Sequence, residues 1–134
     1  MMRRRFAQAR VARFATVDPT GHPHIVPVCF ALEGDRLVTV IDHKPKTTTE
    51  LRRVANVRAN PSVSLLVDQY DEDWEQLWWV RTDGRASLVT RDDPRFEDAI
   101  APLHQKYRGQ YGLQGLPGPA LVVDLHHWVG WSAR

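Results

Sequence analysis

Residues 41–50, IDHKPKTTTE, carry the groups in this chain best suited to holding an anion. Lys44 and Lys46 stand just before a helix start marked by Thr47 and, three residues on, Glu50, the spacing of a capping box. A helix N-terminus offers unpaired N–H groups and the positive end of its dipole, which together suit phosphate. Thr47 and Thr48 add hydroxyl donors, and the two ammonium groups add countercharge. A capped surface helix with two solvated lysines explains the same residues, and composition alone favours that plainer account, because charges near helix ends are common.

Other chemistry is poorly represented. The histidines, His22, His24, His43, His104, His126 and His127, match no zinc spacing, and the single cysteine leaves no thiolate cluster, so no metal site is expected. Nucleophile-elbow, Walker and dinucleotide-binding glycine patterns are absent. Cys29 sits among apolar residues and reads as a small hydrophobe, not a nucleophile. Asp71, Glu72 and Asp73 read as a solvated loop. Trp78 and Trp79 are adjacent on a predicted strand and so face opposite sides; one enters a core and the other needs a second surface. Trp128 and Trp131 pose the same question.

The elements that must position these groups follow from local pattern. Residues 1–10 suggest a weak helix, and residues 11–17 alternate and are β-branched, as a strand does. Asp18-Pro19-Thr20-Gly21 forms a turn. Residues 24–32 read as a second strand, with Pro23 and Pro27 arguing for an edge or a barrel rim. Residues 33–35 make a hairpin loop, and residues 36–41 pair back as a third strand. Leu51, Val54 and Ala55 share one face of a helix that Asn60-Pro61 ends. Residues 62–68 form a fourth strand that looks buried on both faces. Residues 76–90 form a long fifth strand bent near Asp83-Gly84. Asp93-Pro94 opens a second helix with Phe96, Ile100, Leu103 and Tyr107 along one side. Residues 120–131 supply the last strand or strand pair. About six strands joined as hairpins, with helices as inserts, predict a mainly β, antiparallel barrel.

Composition narrows the class. The 134 residues fit one domain, and 43% hydrophobic with 25% charged residues is ordinary for a globular chain. A net charge of +2 is too balanced for a nucleic-acid binder. Arg3, Arg4, Arg5, Arg10 and Arg13 crowd the first stretch without an acid, the pattern of a solvated terminus. No apolar run approaches a membrane span, no signal-peptide core follows the arginines, and one cysteine gives no disulfide; a cytoplasmic protein without membrane partners is expected.

The order of these features resembles the pyridoxamine-phosphate-oxidase-like split β-barrel family, over about residues 11–88. ARVARFATVDPTGHPHIVPVCF, a short hairpin and LVTVIDHKPKTTTELRRVANVRANPSVSLLV carry the resemblance, with Lys46 and Asn60-Pro61 at the family's lysine and Asn-Pro places. Within it, the sequence is most similar to the actinobacterial group that uses the deazaflavin coenzyme F-420. The resemblance implies a homodimer of six-stranded split barrels, with the cofactor at the subunit interface and a small unsaturated or heteroaromatic substrate. Flavin mononucleotide (FMN) is the alternative cofactor, and a non-enzymatic cofactor or haem binder the alternative role. By position, Lys46 and Thr47 hold the cofactor phosphate, assisted by Lys44. Val26, Pro27, Val28 and Cys29 run beside the ring, mainly through backbone; Val40, Ile41 and Asp42 border the ring and its ribityl chain. Trp79 falls where the partner reaches the cofactor, and Trp131 lies near the ring. No side chain is assigned a catalytic role, because the ring carries the hydride. Pro45 replaces the arginine that precedes the phosphate lysine in true pyridoxamine-phosphate oxidases, and their C-terminal substrate motif is not visible.

Overall fold

The computed structural model describes residues 2–41, 48–110 and 116–134. The strands are β1 (Ala12–Val17), β2 (Pro23–Val28), β3 (Ala31–Glu33), β4 (Arg36–Val40), β5 (Ser62–Gln69), β6 (Trp78–Val89) and β7 (Ala120–Ser132). The helices are α1 (Met2–Gln8), α2 (Thr48–Ala59) and α3 (Phe96–Lys106), with a 3-10 turn at Trp74–Gln76. Strand pairing is antiparallel throughout, in the order β2-β1-β5-β6-β7-β4-β3.

That order closes the structure. The strands at its two ends, β2 and β3, are consecutive in the chain with only Cys29 and Phe30 between them. A flat sheet cannot bring its outer edges two residues apart, so the sheet is rolled, and the natural right-handed twist of strands supplies the curvature. No ladder joins β2 to β3 among the described residues, which leaves the barrel split along that seam.

Seven strands replace the six expected. Residues 24–32 are not one strand: the chain leaves β2 at Val28, turns the corner through Cys29 and Phe30, and resumes as β3. Phe30 is fully buried at this corner, while Cys29 is exposed. Two proline rings in β2, Pro23 and Pro27, cannot donate to a ladder, which suits a strand with a partner on one side only. The bend expected in the fifth strand is real: the β6–β7 register slips between Asp83 and Gly84. A Cβ on Gly84 would lie 2.5 Å from the Asp124 carbonyl oxygen, so the slip needs glycine there.

Two apolar layers result. Phe14, Leu37, Leu65 and Val123 fill the barrel interior. Val38, Val40, Val89 and Val122 face outward on one flank and are covered by Phe96, Ile100 and Leu103 of α3. That helix starts later than expected: Asp93 accepts from the Arg95 amide at 2.8 Å, and regular helix begins at Phe96, after Pro94. The arginine-rich first stretch is not a free terminus either. Phe6 of α1 is fully buried against Phe30 and Trp128, ring centroids 5.0 and 5.3 Å away, and stoppers one barrel mouth. At the other mouth α2 lays Val57 into the core and donates from Asn56 Nδ2 to Thr16 Oγ1 at 3.0 Å. No described helix is long and apolar enough to cross a membrane.

Candidate functional site

The mouth closed by α2 holds a concentration of positive charge. Thr16 and His24 are cross-strand partners on β1 and β2, on the face that α2 covers. Arg53, only 9% exposed, enters the same region from α2, with Arg52 beside it. Burial, and then the charges of Arg52 and Arg53, hold the His24 imidazole below its ordinary value, so at pH 7 it is neutral. Its Nδ1 is buried and lacks a hydrogen-bond partner. Burying a ring nitrogen without a hydrogen-bond partner is costly in an apolar interior. An oxyanion suits the His24 nitrogen with guanidinium groups nearby, since it accepts from both kinds of N–H group.

From His24, β2 runs five residues to Cys29, about 17 Å at roughly 3.3 Å per residue. At that end the Cys29 carbonyl accepts from Thr39 Oγ1 at 2.6 Å, which joins the seam to the C-terminal end of β4. The next residues are fastened too: the Ile41 amide donates to the Pro119 carbonyl, and the Gly118 amide to the Ile41 carbonyl, both at 3.1 Å. The corner itself is held by Tyr107 Oη, which lies 3.1 Å from the Phe30 amide, 3.0 Å from the Phe30 carbonyl and 2.9 Å from the Arg10 carbonyl.

Among the residues assigned from sequence, the structure thus brings Val28 and Cys29 beside Val40 and Ile41. Val26 and Val28 turn toward the interior, and Pro27 and Cys29 face out. Asp42, Lys44, Lys46 and Thr47 lie outside the described residues. Trp79 and Trp131 are cross-strand partners, but far from Val40 within one chain. Val40 pairs with Ala120, which pairs with Val89, and Trp79 is ten residues up β6, about 33 Å along the strand. Sequence reasoning missed His24, Arg52 and Arg53. The helix pattern reads Arg52 and Arg53 as an outward face; Arg52 is exposed as expected, whereas Arg53 is only 9% exposed, and the β1–β2 register puts His24 on the face that α2 covers.

The outer face of β2, β1, β5 and β6 is partly apolar and uncovered. Ile25 is 63% exposed, Trp131 48% and Val11 39%. Leu66 is half-buried beside them, and Ser64, Asp83 and Arg81 form a polar row across the face, with Ser64 Oγ donating to Asp83 at 2.7 Å. On the opposite flank a groove of about 410 Å³ runs between α3 and the sheet, lined by Arg36, Asp98, Val122 and Asp124 among others. It includes none of the residues assigned to the site from sequence and neither His24, Arg52 nor Arg53, and its Arg36 is already paired with Asp124 at 3.3 Å.

The class that these strands define is an antiparallel split barrel, open along the β2–β3 seam. The model of the family described as pyridoxamine 5'-phosphate oxidase matches residues 1–127, and the chain belongs to that family. No curated protein matches it. Solved structures of the same fold include a conserved hypothetical protein of Mycobacterium tuberculosis, at 21% identity, TM-score 0.73, covering 100% of this chain and 86% of that one. A FAD-binding protein of Mesorhizobium loti has 21% identity, TM-score 0.70 and coverage of 96% and 90%. The heme storage protein of Vibrio cholerae has 23% identity, TM-score 0.66 and coverage of 94% and 89%.

Proposed function

We propose that this protein is an oxidoreductase that binds a phosphate-bearing flavin-type cofactor, the deazaflavin F-420, and transfers hydride to a small unsaturated or heteroaromatic molecule. The observation that carries this reading is the buried His24 Nδ1, which lacks a hydrogen-bond partner and lies within reach of the charges of Arg52 and Arg53. Arg53 and Arg52 bind the phosphate, and His24 contributes one further hydrogen bond. β2 then runs from this anchor to the corner at Cys29, long enough to lie beside a sugar chain and a three-ring system. Backbone at Pro27 and Cys29, with Val40 and Ile41 opposite, positions the ring and excludes water from one side. When bound, the ring supplies the hydride chemistry, and the protein supplies orientation and a dry wall. A FAD-binding relative of the same fold supports a flavin-type ligand.

The site is half built in one chain. Trp79 and Trp131 are too far from Val40 to share a ligand with it, and they sit on the uncovered apolar face. A second copy covering that face would bring them to the other chain's cofactor and bury Ile25 and Val11. The reading is tested by mixing reduced F-420 or reduced FMN with conjugated acceptors and following cofactor oxidation. Acceleration with F-420 supports it, acceleration with FMN alone replaces the cofactor, and acceleration with neither removes the enzymatic role.

A further inference from the structure

Amines are few in this chain, and one of them sits unlike a surface lysine. Lys44, Lys46 and Lys106 are the only lysines in the sequence. Lys106 closes α3, half-buried, where that helix meets the barrel corner. Its Nζ lies 3.8 Å from the centroid of the Phe30 ring and 5.4 Å from that of Tyr107, and donates to the Ala9 carbonyl at 2.6 Å. Two aromatic rings and one carbonyl thus stand where an ammonium would otherwise hold water. Arg10 adds a like charge. Its guanidinium lies 4.4 Å from the centroid of the same Tyr107 ring and donates to the Lys106 carbonyl at 3.1 Å and to Gln110 Oε1 at 3.3 Å. Those acceptors are neutral. Asp68 shares a cleft with Arg10, but among the described residues neither Arg10 nor Lys106 is ion-paired with a carboxylate. Burial, and then the Arg10 charge, hold the Lys106 ammonium down to about 8, with the Cys29 thiol acting in the opposite direction.

A neutral amine in this place gives one N–H to the Ala9 carbonyl and keeps its lone pair for a bond to carbon. The guanidinium beside it is exposed and suits the oxyanion of an incoming reagent. An acyl phosphate has both parts that such a pair selects, an electrophilic carbonyl carbon and an anionic leaving group. We infer that Lys106 is an acylation site, which takes an acyl group from a small acyl phosphate seated on Arg10. Nζ attacks the acyl carbon, and the bond from that carbon to the bridging oxygen breaks. Phosphate leaves with the electron pair, and the surplus proton on nitrogen passes to water. The product amide keeps its N–H for the Ala9 carbonyl and removes the charge that Arg10 repels, so the corner accommodates it. Neither Lys106 nor Arg10 takes part in the cofactor reading, so the two stand or fall separately.

The test acylates the full chain with acetyl phosphate and, in parallel, with the uncharged acetyl ester of N-hydroxysuccinimide, near neutral pH. Peptide mass spectrometry reads the rate at each lysine. With the uncharged ester, Lys106 of the folded protein is expected to react about tenfold or more faster than Lys106 of the chain unfolded in guanidinium chloride. The acetyl phosphate rate divided by the ester rate cancels the nucleophilicity of the amine and isolates the anion seat. Arg10→Gln is expected to lower this ratio at Lys106 about fivefold or more, and Arg10→Lys, which keeps the charge, to hold it within about twofold. Added sodium chloride is expected to lower the same ratio in the wild type, so the outcome does not hang on a variant that folds. Lys106 reacting no faster folded than unfolded overturns the proposal, because the fold would then shield the amine. A ratio that neither Arg10→Gln nor salt changes overturns the acyl phosphate as the donor.

Discussion

Replacing Tyr107 by Phe tests how the barrel corner is held. Tyr107 is 3% exposed, and its hydroxyl sits between the Phe30 amide, the Phe30 carbonyl and the Arg10 carbonyl. The single hydroxyl proton serves one carbonyl at a time, while the oxygen accepts from the Phe30 amide. Removing the oxygen loses one donated bond, about 1 kcal/mol, and leaves a buried N–H unpaired, about 1–3 kcal/mol. The sum is roughly 2–4 kcal/mol, which for a domain of this size lowers Tm by about 6–15 °C. Urea unfolding followed by tryptophan fluorescence reads the free energy, and the slope of the transition checks that the unfolded state is unchanged. The consequence reaches function, because the same corner aligns Cys29 with Thr39 and Val40. Loss of under about 0.5 kcal/mol would refute the reasoning, since it would mean that water or backbone movement satisfies the Phe30 amide.

Phe6→Ala should cost about 3–5 kcal/mol by opening the α1 mouth, and should shift the emission of Trp128, which loses its edge contact; a change under about 1 kcal/mol in chemical denaturation would show that α1 is dispensable. Lys106 yields a pH signature. Burial first, then the Arg10 charge, lowers its pKa to about 8 from 10.5. Between those values the unfolded chain holds the proton and the folded chain does not, so stability contributed by this group rises with pH from about 8 to 10.5. Lys106→Met should flatten that rise in a series of Tm measurements, and an unchanged slope would assign it elsewhere.

Much of the fold was legible because the local chemistry was unambiguous. Asp18-Pro19-Thr20-Gly21 is a turn whose carboxylate caps its own backbone, and Gly21 and Gly34 take the positive φ that such turns need. The bend at Asp83-Gly84 was readable from glycine within an otherwise regular strand. The break at Cys29-Phe30 was not, since VPVCFAL reads as continuous β sequence, and only closure of the barrel forces a corner there. Nor was the role of the first ten residues: Phe6 among arginines gives no periodic signal, yet it fills a mouth that exists only after seven strands have rolled up. The candidate site was legible in part for the same reason. Strand residues beside the seam could be placed by pattern, whereas Arg53 and His24 meet through a register and a helix docking that no local window contains.

The most direct test of the central claim is titration of the purified protein with F-420 and with FMN, followed by tryptophan fluorescence, for the wild type and Arg53→Gln. The account predicts tight F-420 binding, weaker FMN binding, and a loss of about tenfold or more in the variant, the cost of one charged phosphate contact at roughly 1.5–3 kcal/mol. Equal affinity of wild type and Arg53→Gln for either cofactor would contradict the cradle, and absence of binding by both would contradict the cofactor reading as a whole.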